Sequence, residues 1–203
     1  MRNYGIAVAL FLFGLVSPAY GSSQEKPLSI ATFAGGCFWC MEHPFDELAG
    51  VQQTISGYTG GHKADPSYEE VSSGNTGHAE AVQVYFNVGI ISYEELLQVF
   101  WRNIDPTVRD RQFVDVGSQY RAEIFYHDEQ QRVKALKSRT DLEQSAVFDK
   151  AIVTEITPFS IFYPAEDYHQ DYYLKNPIRY KFYRYGSGRD RFLDRFWGTH
   201  RKD

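Results

Sequence analysis

The chain of 203 residues has two cysteines, Cys37 and Cys40, and both lie in one Cys-Phe-Trp-Cys run. Thiols three residues apart can cycle between dithiol and disulfide, and their reactivity follows their thiolate content. Gly35 and Gly36 come just before, where the backbone can turn tightly. Ser29 to Phe33 reads as a short strand and helix-compatible residues follow, which puts Cys37 at a strand-to-helix turn. Unsatisfied N–H groups and the positive end of a helix dipole favour an anion there. The expected Cys37 pKa is therefore below the free value of about 8.5. Three readings of the pair compete. A structural disulfide suits an exported chain, but so short a loop gains little from closure. A zinc site would add His43, yet structural zinc takes four protein ligands and no second Cys/His cluster exists. A redox-active pair beside aromatic residues is the reading the residues favour.

The elements that must position these sulfurs follow in order. A helix from Cys37 to Leu48 contains Pro44, which cannot donate to the Cys40 carbonyl, so a loosened first turn is expected. Val51 to Tyr58 reads as a strand, followed by a glycine-rich turn through Gly61, and Ser67 to Val71 as a short helix at most. Ala79 to Phe86 is a strand with Val82, Val84 and Phe86 on one face. Glu80 falls on that same face, either as an unusual carboxylate in an apolar setting or as a solvated residue at the rim. Ser92 to Glu95 is a capping box that opens a helix through Asn103, stopped by Asp105-Pro106. Thr107 to Ser118 reads as a polar loop, Ala122 to Tyr126 as a strand, and Asp128 to Ser145 as a charged outer helix. Ala151 to Ile156 is strand-like, Pro164 opens a helix, and Arg189 to Trp197 closes the chain as another. From Ser29 to Tyr126 the order is strand-helix-strand-strand-helix-strand. It predicts an α+β two-layer sandwich, a ferredoxin-like βαββαβ core with a C-terminal extension.

The N-terminus reads as a secretory signal peptide over residues 1–21. Arg2 is followed by an apolar run from Gly5 to Val16 and by small residues before Ser22. The alternative, a membrane anchor, needs roughly 20 apolar residues and the run is shorter. Cleavage leaves residues 22–203 as a single domain of periplasmic or secreted location, without a membrane span. Arg2 is the only charge lost, so 20 Lys and Arg face 26 Asp and Glu, a net charge of −6. An acidic balance argues against nucleic acid as a partner.

Five blocks carry a resemblance. They are Gly36-Cys37-Phe38-Trp39, Gly57 to Gly61, Gly77 to Val82, Gly117 to Arg121 and Ala165 to Gln170. In this order the chain resembles the A-type peptide methionine sulfoxide reductases, from about Ile30 to Pro177. The resemblance implies reduction of methionine S-sulfoxide, free or in proteins, with no cofactor and with a thioredoxin-like dithiol as reductant. It implies Cys37 as nucleophile and Glu80 as the acid that protonates the sulfoxide oxygen. It further implies Tyr68 and Tyr120 as hydroxyls on that oxygen, Phe38 and Trp39 as the pocket for the substrate methyl group, and Asp115 as a pocket carboxylate. A Glu near pKa 4.3 would be ionised at neutral pH (about 4.3 when free), so burial must hold its proton on. Many family members carry resolving cysteines near the C-terminus, and this chain has none there. Cys40 is then the candidate for direct closure on Cys37, the alternative being that a small thiol or partner resolves Cys37 and Cys40 is inert.

Blander readings stand beside these. Tyrosine is abundant at 15 copies, so Tyr68 and Tyr120 could be packing, and Asp115 could cap a loop. His78 and His169 read as structural hydrogen-bonding residues, and the aromatic tail from Tyr168 to Phe196 as core and cover. Two other functions compete: a general thiol–disulfide oxidoreductase that has no need of Glu80, and a non-enzymatic metal- or peptide-binding module.

Overall fold

A computed structural model describes Met1 and residues 27–198. The expected leader, apart from Met1, lies outside the described residues. In chain order the elements are β1 (Ser29–Gly35), α1 (Phe38–Asp46), β2 (Val51–Thr59), α2 (Tyr68–Ser72), β3 (Ala79–Phe86) and α3 (Tyr93–Trp101). Then come β4 (Arg111–Gln112), β5 (Asp115–Val116), β6 (Ala122–Tyr126), α4 (Glu129–Gln144), β7 (Glu155–Pro158), β8 (Phe162–Pro164), α5 (Tyr172–Lys175), α6 (Pro177–Gly186) and α7 (Arg189–Trp197). The main sheet runs β7-β6-β1-β3-β2-β8. Its inner four strands, β6-β1-β3-β2, are antiparallel throughout, which is the expected ferredoxin-like order. Among the described residues no helix is long and apolar enough to cross a membrane.

The sheet forms because β1 and β3 are buried along most of their length and pair in register from Ser29–Phe86 to Ala34–Ala81. Phe33 of β1 lies within 5.2 Å, centroid to centroid, of both Phe45 and Phe100, so one ring couples the sheet to α1 and α3. Truncating such a side chain to alanine costs about 3–5 kcal/mol. The helix α3 starts where the sequence places it, with Ser92 and Glu95 satisfying each other's backbone N–H groups.

Several expected elements differ. The polar loop from Thr107 holds a small hairpin, β4 with β5. The strand expected from Ala151 forms only from Glu155, paired in parallel with β6. Pro164 does not open a helix; it ends the edge strand β8, opposite Gly57, where a missing N–H is tolerated. The helix begins eight residues later, at Tyr172. The helix α6 falls in the tail where no element was expected, with Pro177 at its first turn.

Candidate active site

Gly36 makes the turn that presents Cys37. It has φ +82, and a Cβ there would stand 2.5 Å from Gln112 Cβ, so both the backbone and the space require glycine. Cys37 is the N-cap of α1. Phe38 N–H, at the mouth of the helix, donates to Glu80 Oε2 at 3.0 Å, and Cys40 N–H donates to the Cys37 carbonyl at 3.0 Å. Pairing of β3 with β1 and β2 brings Glu80 to this helix end. Glu80 is buried, not solvated at a rim, and burial raises its pKa to about 8. The carboxyl is therefore largely neutral at pH 7. With Oε2 accepting from Phe38, the proton belongs on the other oxygen.

The expected depression of the Cys37 pKa is corrected by this geometry. The terminal N–H groups serve Glu80 and the Cys37 carbonyl, and Cys37 is only 6% exposed. Burial raises Cys37 well above the ordinary thiol value, helped by its hydrogen bond to Cys40 and by the Glu80 carboxylate. Cys40 moves the other way, to about 7. The hydrogen bond from Cys37 lowers it, and the Arg189 and Arg184 guanidiniums add to this against the opposing effect of burial. Both sulfurs are free thiols. The pair thus carries its first negative charge on Cys40, beside the cations, while Cys37 faces the carboxylates.

A cavity of about 90 Å³ lies over Cys37, lined by Phe38, Trp39, Tyr68, Glu80, Asp115, Tyr120 and Tyr183. Every expected site residue except Cys40 lines it. Burial raises Tyr68 to about 12 and moves Tyr120 upward too, so both keep their phenolic protons as donors. Asp115 is raised by burial and accepts from Tyr183 Oη at 2.5 Å, so it belongs to the pocket wall.

The aromatic tail, expected to be core and cover, contributes Tyr183 to the cavity lining and backs Trp39 from behind. Trp39 stacks on Tyr172 with centroids 3.7 Å apart, meets Tyr183 edge-on, and donates from Nε1 to His169 Nδ1 at 3.1 Å. His169 therefore orients the indole, while His78, as expected, is structural: Nδ1 accepts from Gly61 N–H and Nε2 bonds the Lys63 carbonyl. Glu166 fastens the tail to the sheet, accepting from Tyr58 Oη at 2.8 Å and from Tyr68 N–H at 2.9 Å. Pro44 leaves the Cys40 carbonyl without its helical donor, and Arg184 Nη1 of α6 supplies one at 3.3 Å. The first turn expected to be loosened by Pro44 is thereby held. Arg189 is buried, donates to the Gly35 carbonyl at 3.0 Å and to the Asn103 carbonyl at 2.6 Å, and lies over the Phe113 ring. Sequence reasoning missed Tyr183, Arg184 and Arg189; the one available hint was Pro177, which marks the first turn of the helix that carries Tyr183 and Arg184.

The sequence model of peptide methionine sulfoxide reductase matches residues 29–201. The chain belongs to that family. A reductase of this family from Bacillus velezensis is 55% identical over 175 residues, 86% of this chain and 98% of the relative. The crystal structure of Mxr1 from Saccharomyces cerevisiae in reduced form is similar with a TM-score of 0.71 and 34% identity, over 75% of this chain and 87% of that one. The same yeast protein in complex with Trx2 is similar with a TM-score of 0.51 and 26% identity, over 72% and 85% of the two chains.

Proposed function

We propose that this member of the family reduces methionine sulfoxide with Cys37 as the attacking sulfur, Glu80 as the proton donor and Cys40 as the resolving thiol. One observation carries the reading: a buried carboxyl with a pKa near 8 shares a small aromatic cavity with the nucleophile. A sulfoxide sulfur is electrophilic, but its oxygen leaves only once protonated. Glu80 supplies that proton, and the Tyr68 and Tyr120 hydroxyls hold the oxygen. Phe38 and Trp39 receive the methyl group, and Asp115 with Tyr183 closes the wall.

As Cys37 attacks, its thiol proton passes to the Cys40 thiolate, the group it already hydrogen-bonds. The substrate S–O bond breaks and a Cys37 S–O bond forms, so two electrons move from Cys37 to the substrate sulfur and a sulfenic acid results. Cys40 then attacks the Cys37 sulfur, expelling water and leaving a disulfide. A thioredoxin-like dithiol restores both thiols; the complex of the yeast relative with Trx2 supports this class of reductant. Free and protein-bound methionine sulfoxide are both substrates. Residues 22–203 form the one catalytic domain, and the leader over residues 1–21 makes the enzyme periplasmic or secreted. The mass of the protein recovered from cells checks the leader.

The deciding assay supplies the S and R epimers of a methionine sulfoxide substrate with dithiothreitol. Turnover of the S epimer alone is expected, with none by Cys37→Ser. Turnover of the R epimer, or an active Cys37→Ser protein, contradicts the reading.

A further inference from the structure

The helix α6 turns one side to the Cys37 cavity and an apolar side to solvent. On the solvent side Ile178, Phe182 and Tyr185 are 85%, 81% and 77% exposed. They recur at i, i+4 and i+7, so they form one stripe along the helix. Tyr180 and Tyr183 occupy the opposite side, the first buried and the second in the cavity wall. At about 100° per residue, Lys181 stands on one flank of the stripe and Arg179 on the other, and both are exposed. Just ahead, α5 ends on Leu174, 63% exposed, and on the exposed Lys175. Among the described residues none of these three cations forms an ion pair. The charge of the whole chain is divided in the same sense. Residues 172–203 hold nine Lys and Arg against three Asp, a net +6, whereas residues 1–171 hold 12 against 23 Asp and Glu, a net −11.

We propose that this face of α6 rests on an anionic phospholipid bilayer, with Ile178, Phe182 and Tyr185 entering the boundary between headgroups and acyl chains and Lys175, Arg179 and Lys181 pairing with lipid phosphates. Large apolar side chains exposed side by side mark an interaction site. Their place on the crest of one helix, between two flanks of cations, suits a deformable planar interface. The uneven charge selects the surface. An extended anionic sheet attracts the tail and repels the acidic remainder, which turns the stripe towards the lipid. With ten residues α6 is too short to span a bilayer, so the contact is peripheral. The cavity wall at Tyr183 then lies about one helix diameter, 10–12 Å, from the surface.

The test is flotation of the protein, as recovered from cells, with vesicles of mixed phosphatidylglycerol and phosphatidylcholine, against vesicles of phosphatidylcholine alone. Binding to the anionic vesicles is expected, with little to the neutral ones, and raising the salt from about 50 to about 500 mM should weaken it about tenfold. Phe182→Ser should lower the vesicle partition coefficient about tenfold. Arg179→Gln combined with Lys181→Gln should lower it about 30-fold, at roughly fivefold per charge. All three positions are exposed and outside the cavity lining, so turnover of methionine sulfoxide with dithiothreitol and the Tm should stay unchanged. Equal binding to both kinds of vesicle, or none to either, overturns the proposal. So does binding that survives the substitutions, which would assign it to the apolar run from Gly5 to Val16. A dimer in sedimentation equilibrium that Phe182→Ser splits, with vesicles left unbound, also overturns it, because the stripe would then cover a second copy of the chain.

Discussion

Phe33 and Trp39 are six residues apart, and they are held in opposite ways. Phe33 packs on Phe45 and Phe100, within the β1-α1-β2-β3-α3 framework. Trp39 donates its hydrogen bond to His169, 130 positions along the chain, and takes its stacking partner from α5. The framework fixes Cys37 and Glu80, the proposed nucleophile and acid, through strand register and one helix cap. The tail then closes over them largely through side-chain bonds: Trp39 to His169, Tyr183 to Asp115, and Arg184 and Arg189 to the carbonyls on either side of Cys37. Chemistry and enclosure are thus assigned to different stretches, and damage to each should read differently.

The largest effect is expected on the framework side. Glu80→Gln keeps the acceptor for Phe38 N–H but has no acidic proton, and kcat/KM should fall by about 10²–10⁴-fold. The sign of the pH dependence follows from the two groups. Glu80 must be protonated, so activity is lost as pH rises through about 8; Cys40 must be ionised to accept the proton, so activity is gained as pH rises through about 7. A rate profile with both limbs, of which Glu80→Gln removes the alkaline one, would sharpen the division. A wild-type rate that climbs steadily through pH 9 would break it.

Tail substitutions should be milder and fall on binding. Tyr172→Ala removes the face on which Trp39 lies, and KM should rise about tenfold with a smaller change in kcat. The steady-state rate against substrate concentration separates the two. An equal loss in kcat would mean that the tail takes part in the chemistry. Arg184→Met is expected to do least. It removes the donor to the Cys40 carbonyl and one nearby cation, so the Cys40 pKa should climb from about 7 and disulfide closure slow severalfold. The rate of Cys40 alkylation against pH measures this directly.

The same contrast decides what could be read from sequence. The apolar run of β3 and the capping box of α3 are local signals, so the framework and its strand order were legible; the cavity residues other than Tyr183 were legible only through the resemblance to the family. The direction of the Cys37 shift was not. It depends on where the Phe38 N–H points and on how deeply the sulfur is enclosed, both of which are set by pairing across the sheet. The tail was least legible. Its helices are short, its tyrosines are many, and nothing local distinguishes Tyr183 from Tyr185, one lining the cavity and the other 77% exposed. Pro164 misled because a proline suits both a helix start and an edge strand.

The fate of the two sulfurs in one round of reaction is the most direct measurement. The reduced full chain is mixed with one equivalent of the S-sulfoxide and no reductant, quenched with an alkylating agent, and mapped by peptide mass. One methionine per chain, both thiols lost and a Cys37–Cys40 disulfide are expected, with Cys40→Ser giving methionine and an oxidised Cys37 that stays open. Methionine formed while both thiols remain alkylatable, or an oxidised Cys37 beside an untouched Cys40 in the wild type, would contradict the division of labour between the two cysteines.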